Sequence, residues 1–345
     1  MIDKHVYEID YIRDLQKKYA SDPGLIERAI YAFGLLEAIK NVDMPFCFKG
    51  GTSLMLILDK PARLSTDIDI LVEPGTDVDD YIEKASRIFP FLNMEEDIRK
   101  GKNGIMKRHF KFTYFSPIRS TEFYILLDVV YAHLPYAKTV QKEIKNELLL
   151  TNGENLSVDI PTADCILGDK LTAFAPHTTG ILLGCGKELE IAKQLFDTAM
   201  LFDYLSDYSL FAETYKTAVK EETAFRGEKW SSEDVLNDTI NACISIVSRG
   251  AINKEDYAEY LYGIKSLKNH ILLSGYNTDD VTWKACKVMY LSSCLLSGNS
   301  FRRIDNPEEY IAASLEGSEY KRLAYVRKQR LDAYAYLVEA TRNLK

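Results

Sequence analysis

No stretch of this 345-residue chain approaches the ~20 consecutive apolar residues of a membrane-spanning helix, so no membrane span is expected. The opening residues, Met1–Tyr7, lack the charged-then-apolar order of a secretory signal, and a cytoplasmic location follows as the expectation. Six cysteines are scattered without a C-x-x-C pair. In that setting they read as reduced thiols, mostly in cores, rather than as a disulfide framework. The five histidines fall at no ligand spacing, which argues against a structural zinc site; any metal here should be hard and oxygen-bound. No low-complexity or disordered block interrupts an ordinary globular composition of 46% hydrophobic and 27% charged residues. A basic excess is also missing. Lys and Arg number 43 against 51 Asp and Glu, a net charge of −8, whereas a protein that tracks many phosphates carries a basic stripe. A long nucleic-acid footprint is disfavoured, and a compact target held at one end stays open.

The informative stretch is residues 49–73. It reads Lys49-Gly50-Gly51-Thr52-Ser53-Leu54, then a spacer, then Arg63-Leu64-Ser65-Thr66-Asp67-Ile68-Asp69-Ile70-Leu71-Val72-Glu73. A Gly-Gly turn opening a short helix, followed by a strand with two aspartates, suits a metal-nucleotide site. Alternate strand residues share a face, so Asp67 and Asp69 point the same way with Cα atoms ~7 Å apart. Ile68, Ile70 and Val72 fill the other face. Two such carboxylates can share a pair of Mg²⁺ ions ~3.5–4 Å apart, the separation used for in-line phosphoryl displacement. The glycines admit a phosphate to the backbone, and the N–H groups of Thr52 and Ser53 at the helix start would face it. Alone, an Asp-x-Asp on an amphipathic strand is usually a solvated face; the Gly-Gly-Thr upstream supplies complementary chemistry.

A third carboxylate lies in Glu122–Ala132, an almost wholly apolar, β-branched and aromatic run that reads as a buried central strand. A charge there, Asp128, is costly unless it binds metal or is paired with an Arg or Lys. Later, Ala163, Leu167, Leu171 and Phe174 form a helical apolar stripe, and Lys170 sits on it. Such a lysine must snorkel out or find an anion, either a nucleotide phosphate or a structural carboxylate. Asp197 is an i,i+4 neighbour of Lys193 in the less favourable orientation for a helix pair. His177, in the loop 175–180, reads as a loop histidine rather than a catalytic base. Two basic clusters, 98–111 and 321–330, are either partner-binding or simply solvated.

At this point the chain resembles a known family. Gly50-Gly51, the Asp67/Asp69 pair and Asp128 look like the polymerase β-type nucleotidyltransferase superfamily. The fuller string from Lys49 to Leu54 and Arg63-x-Ser65-x-Asp67-x-Asp69 is similar to its AbiEii/AbiGii abortive-infection toxin branch. Leu167-Gly168-Asp169-Lys170-Leu171-Thr172-Ala173 and Lys193-Gln194-Leu195-Phe196-Asp197 resemble that branch's downstream Asp-Lys-x-x-Ala and Arg-Asp-x-x-Asp motifs. The resemblance covers about residues 25–205. Two departures stand out: fifteen residues separate Gly51 from Asp67, and Lys193-Gln194 replaces the Arg-Asp of the last motif. The resemblance implies a catalytic set of Asp67, Asp69, Asp128, Lys170 and Asp197. It also implies nucleotide contacts from Lys49, Gly50, Gly51, Thr52, Ser53, Arg63, Ser65 and Lys170, and metal ligation by Asp67, Asp69 and Asp128. Mg²⁺ is the implied cofactor, two ions in number, with Mn²⁺ as a substitute. An NTP substrate, an RNA acceptor such as a tRNA 3′ end, and a cognate antitoxin encoded nearby follow from the same resemblance. Ser65 would lie near the phosphates and could itself accept a modification. Two other readings remain: transfer to a small hydroxylated molecule such as an aminoglycoside, which would need an acidic pocket, and an inactive binding module of the same fold.

The expected fold is α/β, a polymerase β-like nucleotidyltransferase core (a small mixed sheet with flanking helices) followed by an all-helical domain. Residues 1–160 would form the core with its N-terminal helices, and 161–345 a helical domain closing the nucleotide cleft. Ser21-Asp22-Pro23 should start a helix whose stripe is Leu25, Ala29, Ala32, Phe33 and Leu36. A strand over 46–48, a helix over 79–89 ended by Pro90, strands at 107–115 and 122–131 about the Ser116-Pro117 turn, and a short strand near 156–160 complete the core. From Pro161 onward Gly and Pro thin out and apolar residues recur at helical spacing, including a helix over 188–204.

Overall fold

The computed structural model describes residues 1–98 and 106–345. The chain divides into two compact units, one of Met1–Thr162 with Asn269–Ser274, the other of Ala163–Lys268 with Gly275–Lys345. The first unit is α/β. In chain order it carries helices α1 (Ile9–Tyr19) and α2 (Pro23–Asn41), strand β1 (Cys47–Lys49), helix α3 (Gly50–Ile57), strand β2 (Ile68–Val72) and helix α4 (Asp79–Ser86). Strands β3 (Phe91–Glu96), β4 (Lys107–Ser116), β5 (Thr121–Tyr131), β6 (Thr139–Glu143) and β7 (Ser157–Pro161) follow. Among the described residues they make one mixed sheet in the order β3-β4-β5-β2-β1-β7-β6. β2 runs parallel to β5 and β1 parallel to β7, while the remaining neighbours are antiparallel.

The two strands that sequence patterning does not reveal, β3 and β6, are the two edges. Their sequences, Phe-Leu-Asn-Met-Glu-Glu and Thr-Val-Gln-Lys-Glu, are polar because an edge strand buries little and repels further pairing with charge. Helix α4 stops at Ser86, short of the expected Phe89; the Arg87 N–H turns back to the carbonyls of Ala85 and Lys84 and closes it there.

Helix α2 starts as its sequence dictates. Asp22 caps it by accepting the Leu25 N–H, and Pro23 occupies the first turn. It is enclosed on more sides than a single stripe implies, with Ile26, Ile30, Leu35 and Ile39 all fully buried. So is Glu27. Its carboxylate accepts the Tyr114 hydroxyl at 2.9 Å, the Ser116 hydroxyl at 2.9 Å and the Ile118 N–H at 3.0 Å. A buried carboxylate is tolerated when its oxygens are satisfied in this way, and here it fastens α2 to the β4–β5 hairpin.

The second unit is helical. Helices α5 (Ala163–Ala173), α6 (Glu188–Phe202), α7 (Tyr208–Arg226), α8 (Ser232–Val247), α9 (Lys254–Leu267), α10 (Thr278–Ser297), α11 (Val326–Gln329) and α12 (Leu331–Asn343) are joined by turns and short 3₁₀ segments. α5 packs on α6 and α7, and α10 packs on α6, α8 and α12. No helix among the described residues is long and apolar enough to cross a membrane.

Candidate active site

The register of the central strands places the expected residues. Lys49 on β1 lies opposite Asp69 on β2, Asp69 lies beside Asp128 on β5, and Asp128 lies opposite His109 on β4. Registered positions on neighbouring strands share a face, so one row across four strands carries a lysine, two carboxylates and an imidazole. Asp67 stands one residue before β2, two upstream of Asp69. The face is open. Along β5, Ile125, Leu127, Val129 and Tyr131 are buried, while Leu126, Asp128 and Val130 are half-buried. The apolar run therefore does not mark a strand buried on both sides, because its partly exposed alternate positions are also apolar. The partner that satisfies Asp128 is His109, Nδ1 to Oδ1 at 2.7 Å, not an Arg or Lys.

The Gly-Gly turn is fitted to this row. Gly50 has φ +80, a backbone conformation that a side chain disfavours, and a Cβ there would stand 2.0 Å from Asp69 Oδ2. A Cβ on Gly51 would stand 2.7 Å from Arg63 Nη2 and 2.8 Å from Ser65 Oγ. The glycines thus let the start of α3 press against Asp69, Arg63 and Ser65 at once. Thr52 Oγ1 donates to the Asp67 carbonyl at 2.6 Å, and Ser53 Oγ donates to the Gly50 carbonyl at 2.8 Å. Both hydroxyls bind the motif to itself, and the first N–H groups of α3 have no partner within the helix. Arg63 is buried, and its Nη1 donates to the Leu64 carbonyl at 3.1 Å. Its loop is pinned from far along the chain: Leu64 N–H reaches the His270 carbonyl at 2.7 Å, and Leu272 N–H reaches the Ala62 carbonyl at 3.0 Å. Sequence spacing gives no sign of that return segment.

Lys170 and Asp197 meet within the second unit. Lys170 Nζ lies 3.0 Å from Asp197 Oδ2 and 3.0 Å from Gln194 Oε1, with the two charged side chains 11% and 2% exposed. The anion that the stripe position called for is thus a carboxylate of α6. Lys193, in turn, reaches Glu190 at 3.6 Å. His177 Nε2 meets Asp256 Oδ2 at 2.7 Å. Of the basic stretch 98–111, Arg99, Lys100 and Lys102 lie outside the described residues. Arg108 is held by Glu96 and Asp79, and Lys111 lies 3.7 Å from both Glu95 and Asp97.

The model of the family described as nucleotidyl transferase AbiEii toxin, type IV TA system, matches residues 35–279. The chain belongs to this family. Its match runs through the Gly-Gly turn, the Asp67/Asp69 strand, Asp128, Lys170 and Asp197, so this is an AbiEii-type nucleotidyltransferase. Among solved structures, JHP933 from Helicobacter pylori is similar at 15% identity over 79% of this chain and 93% of that one, with a TM-score of 0.45. An antigenic nucleotidyltransferase-like protein from Paracoccidioides brasiliensis is similar at 14% identity over 60% and 95%, with a TM-score of 0.37. No curated protein matches the chain.

Two residues of the AbiEii site escape sequence reasoning. Arg28 on α2 reaches Asp67, Nη2 to Oδ1 at 3.3 Å, and His109 reaches Asp128. Neither sits in a motif; the only available signal for His109 was its place on the strand that pairs with the one bearing Asp128. Among the described residues no three His, Cys, Asp or Glu side chains converge as a metal-binding group. Asp67, Asp69 and Asp128 nonetheless supply carboxylate oxygens, the donors that hard divalent cations take, and binding would require Asp67 to turn from Arg28 and Asp128 from His109.

Proposed function

We propose that this AbiEii-type enzyme moves a nucleotidyl group from an NTP to an RNA hydroxyl, such as that of a tRNA 3′ end, with Mg²⁺ held by Asp67, Asp69 and Asp128. The observation that carries the reading is the placement of Asp69 beside Asp128 on parallel neighbouring strands, with Gly50 packed against Asp69. A bound pair of divalent ions would supply Lewis-acid stabilisation of the attacking and leaving oxygens. The chain's own groups do the positioning. The α3 N-terminus offers N–H donors and the positive end of its dipole to the phosphates. Arg63 and Ser65 line the same turn, and Lys49 adds a cation to the row. The acceptor hydroxyl loses its proton to solvent, its oxygen bonds to the α-phosphorus, and the bond to the departing pyrophosphate breaks. Lys170 and Asp197, paired within the helical unit, serve the same reaction in this reading, with Asp197 orienting the Lys170 ammonium. Membership of a toxin family of a type IV system implies an antitoxin as partner.

A second reading has one observation in its favour. A cavity of about 740 Å³ in the helical unit is lined by Asp234, Asp238, Glu255 and Asp256 against a single lysine, Lys254. An amine-bearing small acceptor fits such a surface. Incubation with labelled NTPs, Mg²⁺ and total RNA, alongside an aminoglycoside panel, tests both. Label in RNA is the expected result; label only in the small amines replaces the first reading with the second, and label in neither overturns both.

A further inference from the structure

Among the described residues the second basic cluster is not neutralised. Lys321, Arg322, Arg327 and Lys328 are exposed, and among the described residues none has a carboxylate within ion-pair distance. Their neighbours differ: Arg249 is paired with Asp279, Arg330 with Asp332, Arg342 with Glu339 and Lys345 with Glu316. The segment that bears them is also held in place. Leu323 and Val326, between them, are fully buried, and the Tyr325 hydroxyl donates to the Val247 carbonyl. Arg322 Nη1 donates to the Ala251 carbonyl at 2.9 Å, and Arg327 Nη1 to the Ile311 carbonyl at 3.2 Å. Four cations within eight residues and without a paired carboxylate are unfavourable, and in a chain of net charge −8 they stand out as a site for an anion.

We propose that Lys321, Arg322, Arg327 and Lys328 form a phosphate-binding patch that grips the backbone of the acceptor RNA. This rests on the reading of an RNA acceptor. Two guanidinium forks suit phosphate oxygens, two ammonium groups act as point charges, and the patch spans eight residues of tight helical turns, a footprint of a few phosphates. Such a compact grip reconciles an acidic protein with a nucleic-acid substrate.

Fluorescence anisotropy with labelled, unfractionated tRNA tests the patch through salt dependence. Lys321→Ala/Lys328→Ala should weaken binding several-fold and reduce the slope of log affinity against log salt by roughly 1.4–1.8, about 0.7–0.9 for each phosphate no longer neutralised. The control pair Lys216→Ala/Lys220→Ala, exposed on α7, should change neither comparably, and the KM for NTP should hold in both. An unchanged slope in the Lys321/Lys328 variant, with wild-type binding intact, overturns the patch and spares the acceptor reading. Wild-type protein that binds no tRNA at about 50 mM salt overturns both. A variant that keeps tRNA but loses binding to polyglutamate would reassign the patch to an acidic protein partner, and also overturns it.

Discussion

At the scale of single residues, the carboxylates of the central row divide by what holds them. Asp69→Asn, or Asp67→Asn at the strand entrance, should abolish transfer while leaving the fold intact, since both lie on an open face. The loss of a metal ligand should cost ~4 kcal/mol or more of transition-state stabilisation, about a thousandfold in rate. Near-normal turnover in either variant sinks the assignment. Asp128 is the sharper case because His109 already touches it. If Asp128 ligates Mg²⁺, Asp128→Asn removes the Mg²⁺-dependent part of stability in a denaturant titration, and His109→Ala leaves that part in place. Equal effects of the two substitutions would make the pair a structural contact. Lys170 requires a double substitution. Lys170→Met alone strands the buried Asp197 carboxylate and should cost ~3–5 kcal/mol of stability, whereas Lys170→Met/Asp197→Leu should recover most of it. NTP affinity measured in that stable double variant then isolates a phosphate role: normal binding would leave Lys170 as an ion-pair partner only.

At the scale of elements, the site depends on two close approaches. Gly50→Ala places its Cβ 2.0 Å from Asp69 Oδ2 and 2.9 Å from Asp69 Cβ, so rotation of the aspartate alone cannot relieve it. With the cost of φ +80 for an L-residue added, the variant should lose roughly 2 kcal/mol or more and most of its activity. A melting temperature equal to wild type would show that the turn has room the geometry denies. These details explain which parts of the molecule its sequence discloses. β1, β2, β4, β5 and β7, the Gly-Gly helix and the capped start of α2 follow from alternation and turn chemistry, because each meets a core on one side. Edge strands β3 and β6 escape since their burial is too slight to pattern them. The motif residues could be named from the chain, but Arg28, His109 and the anchoring of Ala62–Leu64 by His270–Leu272 could not. Those contacts join positions 39, 19 and about 208 residues apart, and no local period reports them.

At the scale of the whole molecule, Mg²⁺ should act as a stabilising ligand of an acidic chain. At a hundredfold excess over its dissociation constant, a single bound ion adds about 2.7 kcal/mol, seen as a rise in melting temperature that Asp69→Asn abolishes. A thermal scan with no Mg²⁺ response in the parent protein would argue against the proposed metal. The strand of chain that comes back to the first unit has a further consequence, in time rather than space. A ribosome finishes residue 162 and must add 112 more before Ser274 is made, roughly 6–22 s at ordinary elongation rates, and the exit tunnel delays its release further. Throughout that interval the nascent loop bearing Arg63 has no partner at Ala62 and Leu64. An arrested chain ending at Lys268 should therefore show the Gly-Gly segment accessible to protease and no nucleotidyl transfer, while one extended well past Ser274 should protect it. A chain of this design should acquire its transfer activity only when most of the polypeptide exists.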